Sequence, residues 1–136
     1  MADQDDVRRI ALGLPDAHEA DNGFHFGVGG KSFAWVWLER HTPRAARVPN
    51  PGVLAVRVAN QNDKEALLDL DEDVFFTEPH YDGYPAVLVR LDRTDDELLA
   101  RILTDAWRCR APKGLVRAFD ASAAPSSEPR PDDAPG

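Results

Sequence analysis

Residues 31–40, KSFAWVWLER, constrain the fold more than any other stretch of the chain. Alternate side chains of an extended strand point to opposite faces, so Phe33, Trp35 and Trp37 share one side and Ala34, Val36 and Leu38 the other. Both sides are apolar, and such a strand needs a sheet around it and at least one covering layer. Just upstream, FHFGV at 24–28 is followed by Gly29 and Gly30, which supply the positive φ of a tight hairpin turn. The aromatic strand is then the second arm of a hairpin. Its alternation is compatible with the aromatic set in the core or on the open side of the sheet.

The other segments supply its partners. In DDVRRIALGLPDA, residues 5–17, Val7, Ile10, Ala11 and Leu14 recur at helical spacing behind aspartates that suit a helix N-terminus, and Pro15 ends the helix. Residues 16–22 read as a polar linker. Pro43, Pro49, Pro51 and Gly52 speak against any regular element across residues 41–52, predicting a long loop decorated by Arg40, Arg44 and Arg47. VLAVRV at 53–58 predicts a third strand, and Asn60 or Asn62 caps a following helix with Ala66, Leu67 and Leu70 as its apolar stripe. Residues 74–77 predict a fourth strand. EPHYDGYP then makes a turn, and AVLVRL at 86–91 predicts a fifth. Thr94 followed by Glu97 spells a capping box for a helix with the wide stripe Leu98, Leu99, Ile102, Leu103, Ala106 and Trp107, closed by Pro112 and Gly114. Residues 115–119 add a last turn against the core.

This order predicts an α+β two-layer sandwich: a mostly antiparallel five-stranded sheet with helices on one face, α-β(3)-α-β(2)-α. Residues 1–119 form a single domain, and residues 120–136, rich in Pro, Ala, Ser and Asp, form a disordered tail. If the helices cover Leu54, Val56, Val58, Val87, Val89 and Leu91, the open face carries Val53, Ala55, Arg57, Ala86, Leu88 and Arg90.

The net charge of −8 argues against a general polyanion-binding surface. Its distribution leaves room for local ones. No acid falls between Arg40 and Arg57 or between Arg108 and Arg117, whereas acids gather at residues 3–6, 63–73 and 92–97. The apolar runs are too short to span a bilayer and the N-terminus is acidic, which predicts a cytoplasmic protein with no membrane partner. The lone Cys109 reads as a small helical side chain.

The chemistry-bearing motifs are sparse. Gly30-Lys31-Ser32 lacks the first glycine of a phosphate-binding loop, since position 25 is His25, and a strand rather than a helix follows. His18, His25, His41 and His80 show no metal-ligand spacing, and His80 with Asp82 offers too few ligands. Ser32 has no nucleophile-elbow context. No catalytic residue, cofactor or metal is expected, and the chain reads as a non-enzyme.

The chain resembles the MmcQ/YjbR-like family in VRRIALGLP at 7–15, VGGKSFAWV at 28–36, DVFFTEPHYDGYPAVLVRLDR at 73–93 and DELLARILTDAWRCRAPKGLV at 96–116. The most specific part combines the FF-x-x-P-x-Y turn, the V-R-L-D strand end and the A-W-R and A-P-K helix exit. The resemblance implies a frataxin-like or secretion-chaperone-like fold in the order already read. It also implies DNA binding of the double wing type ascribed to families of this kind. Two departures from the family pattern are the expanded loop at 42–51 and Tyr84-Pro85, where many relatives carry a tryptophan.

The function expected is a non-enzymatic nucleic-acid-binding module acting on DNA. Arg40, Arg44 and Arg47 in the loop and Arg57 and Arg90 on the sheet would meet phosphates, and Trp35 and Trp37 would stack on bases. Lys31, His80, Tyr81, Tyr84, Arg108 and Lys113 are secondary candidates. The alternative is an adaptor whose open sheet face docks a protein partner, a second copy of the chain or a small ligand.

Overall fold

The computed structural model describes residues 2–21, 23–39 and 46–123. Along the chain run α1 (Gln4–Leu12), β1 (His18–Glu19), β2 (His25–Val28), β3 (Lys31–Glu39) and β4 (Val48–Arg57). They are followed by α2 (Gln61–Leu70), β5 (Phe75–Phe76), β6 (Ala86–Arg90), α3 (Asp96–Arg110) and α4 (Lys113–Ala123). The strands form one antiparallel sheet in the order β1-β2-β3-β4-β6-β5. The α+β class and the antiparallel sheet agree with the sequence, but there are six strands and four helices rather than five and three. The extra strand, β1, lies in the predicted linker, where two residues are too short to show alternation; it pairs His18 with Gly27 and Glu19 with Phe26. The extra helix, α4, grows from the predicted last turn and runs to Ala123, past the expected tail boundary, with Phe119 packed on Trp107 at 4.9 Å.

The main core lies between the sheet and the helices. Leu54, Val56, Val87 and Val89 from the sheet meet Leu99, Leu103, Ala106 and Trp107 from α3 and Val7 and Ala11 from α1, all buried. Trp107 satisfies its indole N–H on the Pro15 carbonyl at 2.9 Å, tying α3 to the end of the first helical segment. On the opposite side a smaller cluster, Val53, Ala55 and Leu88, lies under Trp35, Trp37, Phe76 and Tyr81. The division of β4 and β6 into two faces is the predicted one.

Two irregularities in β3 and β4 escape a simple alternation. Pairing of β2 with β3 slips after Gly27↔Ser32, so that Phe26 faces Ala34 and Phe33 is the extra residue of a bulge. Phe33 therefore joins Ala34 in the helical core instead of sharing a face with Trp35 and Trp37. In β4, strand structure extends back to Val48 through Pro49 and Pro51, where a loop was expected. A second slip accommodates Pro51: Val36 pairs Leu54 but Trp37 pairs Asn50, leaving residues 51–53 without partners in β3, while Val53 still pairs Arg90 of β6. Asn50 fastens this insertion, accepting from Gly52 N–H at 2.9 Å and donating to Glu39 at 2.8 Å.

One helix start and one helix face also differ from expectation. The N-cap of α3 is Asp95, which accepts from Leu98 N–H at 2.8 Å, while Thr94 donates its hydroxyl to the Arg90 carbonyl at 2.8 Å. The predicted box is thus replaced by a carboxylate cap one residue later, the stronger acceptor at a helix N-terminus. In α2, Asn60 caps as expected, but Leu70 is 66% exposed and the buried residue is Lys64.

Candidate functional site

The site begins with a turn laid across the open face of the sheet. Between β5 and β6 the chain makes a short 3-10 turn at Pro79–Tyr81 and a left-handed step at Gly83 with φ of 77°. Its carbonyls are gathered by α2. Lys64, only 3% exposed, donates to Tyr81 O at 2.6 Å and to Tyr84 O at 2.9 Å, and Gln61 donates to Gly83 O at 3.0 Å. Burial pushes the Lys64 ammonium below the ordinary lysine value, and the nearby Asp82 carboxylate opposes that shift.

Held in this way, the turn presents two tyrosines to Trp35. The Trp35 indole N–H donates to the Tyr81 hydroxyl at 3.2 Å, and Trp35 and Tyr84 meet edge to face at 6.4 Å. Tyr81 and Tyr84 meet at 6.0 Å, and the His25 ring stacks on Trp35 at 5.9 Å. Burial raises the Tyr81 phenol above its ordinary value, keeping it a neutral donor and acceptor. The Arg57 guanidinium lies 5.5 Å from the centre of the Tyr84 ring.

The hairpin turn closes the other side. Gly29 and Gly30 have φ of 60° and 81°, and a Cβ on Gly29 would lie 3.3 Å from Pro112 Cδ. That close approach docks the hairpin on the junction after α3 and brings Lys31 and Ser32 beside Arg110, the last residue of α3. His25 and Ser32 share a hydrogen bond, and burial lowers the His25 pKa, so the imidazole is neutral at neutral pH.

Together these residues line a cavity of about 580 Å³: His25, Gly30, Lys31, Ser32, Trp35, Arg57, Tyr81, Tyr84 and Arg110, with no Asp or Glu among the described residues. Among the described residues no acid forms an ion pair with Lys31, Arg57 or Arg110. The Arg110 Nε is enclosed and has no hydrogen-bond partner among the described residues. Three cationic groups, a hydroxyl and an aromatic wall make a chemistry suited to an anion attached to a flat ring.

Of the residues singled out from sequence, Trp35, Arg57, Lys31, Tyr81 and Tyr84 converge here. Trp37 and Arg90 stand at the other end of the open face with Phe76, the Trp37 and Phe76 rings at 5.7 Å and the Arg90 guanidinium 4.1 Å above Phe76. Arg90 also donates to the carbonyls of Glu72 at 3.2 Å and Asp73 at 3.4 Å, so it braces the segment before β5. Arg47 donates to Leu38 O at 3.4 Å and borders a neighbouring depression with Trp35 and Tyr81. Arg108 is paired with Asp120 and lies over Phe119, outside the cavity, and Lys113 is exposed at the start of α4. Arg40, Arg44 and the His80 side chain lie outside the described residues.

His25, Ser32 and Arg110 were not among the residues singled out. Counting back from the Gly29-Gly30 turn without a bulge places His25 opposite Ala34; the extra residue in β3 brings Trp35 opposite it on the open face instead. Arg110 carried only the weak signal of a basic helix exit. Among the described residues there is no group of three or more His, Cys, Asp or Glu able to hold a metal, and no helix is long and apolar enough to cross a membrane.

A family model described as YjbR matches residues 12–109. The uncharacterized protein Rv2570 of Mycobacterium tuberculosis is 42% identical over 129 residues, covering 90% of this chain and 98% of its own length. The uncharacterized protein Mb2600 of Mycobacterium bovis shows the same identity and coverage. No solved structure matches.

Proposed function

This chain belongs to the YjbR family, and from the geometry of its open sheet face we propose that it is a non-enzymatic module that binds single-stranded nucleic acid, DNA in the first instance. One observation carries the reading: an aromatic wall of Trp35, Tyr81 and Tyr84 borders Lys31, Arg57 and Arg110 in a cavity with no carboxylate among the described residues of its lining. Bases stack on such a wall regardless of sequence, and cations beside it take the backbone. A duplex keeps its bases stacked inside, so the strand form is preferred.

The test is fluorescence anisotropy with a labelled single strand and its duplex, titrated from low to physiological salt. The strand binds more tightly than the duplex, and Trp35→Ala weakens it by roughly tenfold or more, the scale of one lost base stack. Absence of binding even at low salt, where phosphate contacts are strongest, sinks the reading.

The alternative is protein docking or self-association on the same face. It is favoured by Tyr84, exposed at 43% on that face, and by Val48, exposed at 48% opposite Glu39. Light scattering separates the two, because a clean monomer removes self-association.

A further inference from the structure

We propose that the cavity at the hairpin end of the open face is a subsite for a phosphomonoester carried on a nucleoside, so that the chain holds the phosphorylated 5′ end of a strand. This rests on the nucleic-acid reading above and narrows it to one end of the ligand.

Charge and shape both favour a phosphomonoester. A phosphodiester within a strand carries one negative charge, whereas a terminal monoester carries about −1.5 to −2 at neutral pH and offers three acceptor oxygens. The cavity gathers Lys31, Arg57 and Arg110 with no acid among the described residues of its lining, on a molecule whose overall charge is −8. A dianion matches three cations more fully than a single charge does. Arg110 brings a guanidinium, a group whose forked donors suit a phosphoryl group, to this lining. Ser32, hydrogen-bonded to His25, supplies a hydroxyl on the same wall.

The position of the aromatic residues sets the ligand's orientation. Trp35 and Tyr84 stand beside the cations, with Arg57 over the Tyr84 ring, so a base stacked there has its own 5′ phosphate within reach of the cationic end. The volume of about 580 Å³ lies within the range of about 300–1,000 Å³ typical of cavities that enclose a small ligand. The rest of the strand would leave along the open face toward Trp37 and Phe76.

The experiment compares one short deoxyoligonucleotide with a 5′ phosphate, the same strand with a 5′ hydroxyl, and free thymidine monophosphate, by calorimetry on the full chain. The phosphorylated strand should bind about tenfold more tightly than the hydroxyl form. Lys31→Gln and Arg110→Gln should each reduce that preference to near unity, while Lys113→Gln on α4 keeps it. Thermal melts of the variants check that the fold is intact. Equal affinity for the two strands overturns the subsite and leaves strand binding standing. No binding of either strand or of the mononucleotide overturns both. Free thymidine monophosphate binding as tightly as the phosphorylated strand supports the phosphomonoester site but removes the strand, and makes the cavity a mononucleotide pocket.

Discussion

Lys64 shows how one side chain can hold a whole surface in place. Its ammonium reaches two carbonyls of the turn that carries Tyr81 and Tyr84 from a position almost closed to water. Lys64→Met removes both donors and leaves acceptors at least partly enclosed, so it should lower stability by about 1–3 kcal/mol in a urea melt. The same change should weaken ligand binding, since Tyr84 and Tyr81 lose their support. The pH dependence has a definite sign. Because burial lowers the Lys64 pKa below 10.5, the unfolded chain holds more protons between the folded value and 10.5, and this residue makes stability rise with pH across that window. The neutral amine still has two hydrogens for its two carbonyls. Subtracting the Lys64→Met profile from that of the parent should isolate the rise; a flat difference would show that the amine is not desolvated. Glu19 has the same sign in an acidic window. Arg8 donates to both its oxygens at 2.8 and 2.9 Å, and these hydrogen bonds hold the carboxyl below the ordinary glutamate value of 4.5. Its contribution is therefore present above 4.5 and lost as pH falls through the folded value. Carbon-detected titration should find the Glu19 midpoint depressed, and Arg8→Gln should return it toward 4.5.

Among the elements, α3 separates two ways of starting a helix. Asp95→Ala removes the carboxylate that accepts from Leu98 N–H and should cost about 1 kcal/mol, within the usual range for a lost cap. Glu97→Ala should change the melt little, although the sequence gives Glu97 the more conspicuous role. Equal losses at the two positions would restore the box. This is a fair picture of what sequence could and could not convey. The apolar stripe of α3 was legible because Leu99, Leu103 and Trp107 repeat every four residues, whereas the choice between adjacent polar caps depends on local backbone angles. The Gly29-Gly30 turn was legible for the same kind of reason, since only a tight hairpin uses two such residues. The bulge at Phe33 was not, because either face of β3 is apolar and its pattern tolerates a slip. That single residue decides that His25 lies against Trp35, and hence most of the cavity's composition. Gly29→Ala tests the link between turn and site: the strained positive φ and the contact with Pro112 should cost about 1–2 kcal/mol and disturb Lys31 relative to Arg110.

Across the whole molecule, the acidic balance and the cationic cavity act on different length scales. The net charge of −8 repels a polyanion at a distance, and the three cations engage it only at contact. Association should therefore be slow at low salt compared with a basic protein. The dependence of log affinity on log salt should also be shallow, with a slope of about −2 for roughly three phosphate contacts to a single strand. A much steeper slope would mean that cations beyond this cavity carry the binding. The layout of the sheet has one more consequence. Its outermost strands, β1 and β5, are two residues each, and the segment leading into β5 is already engaged by Arg90. A row of free backbone groups long enough to template another strand is absent from these two strands. Long ladders between copies, the first step toward fibrils, have little to grow from at these two strands.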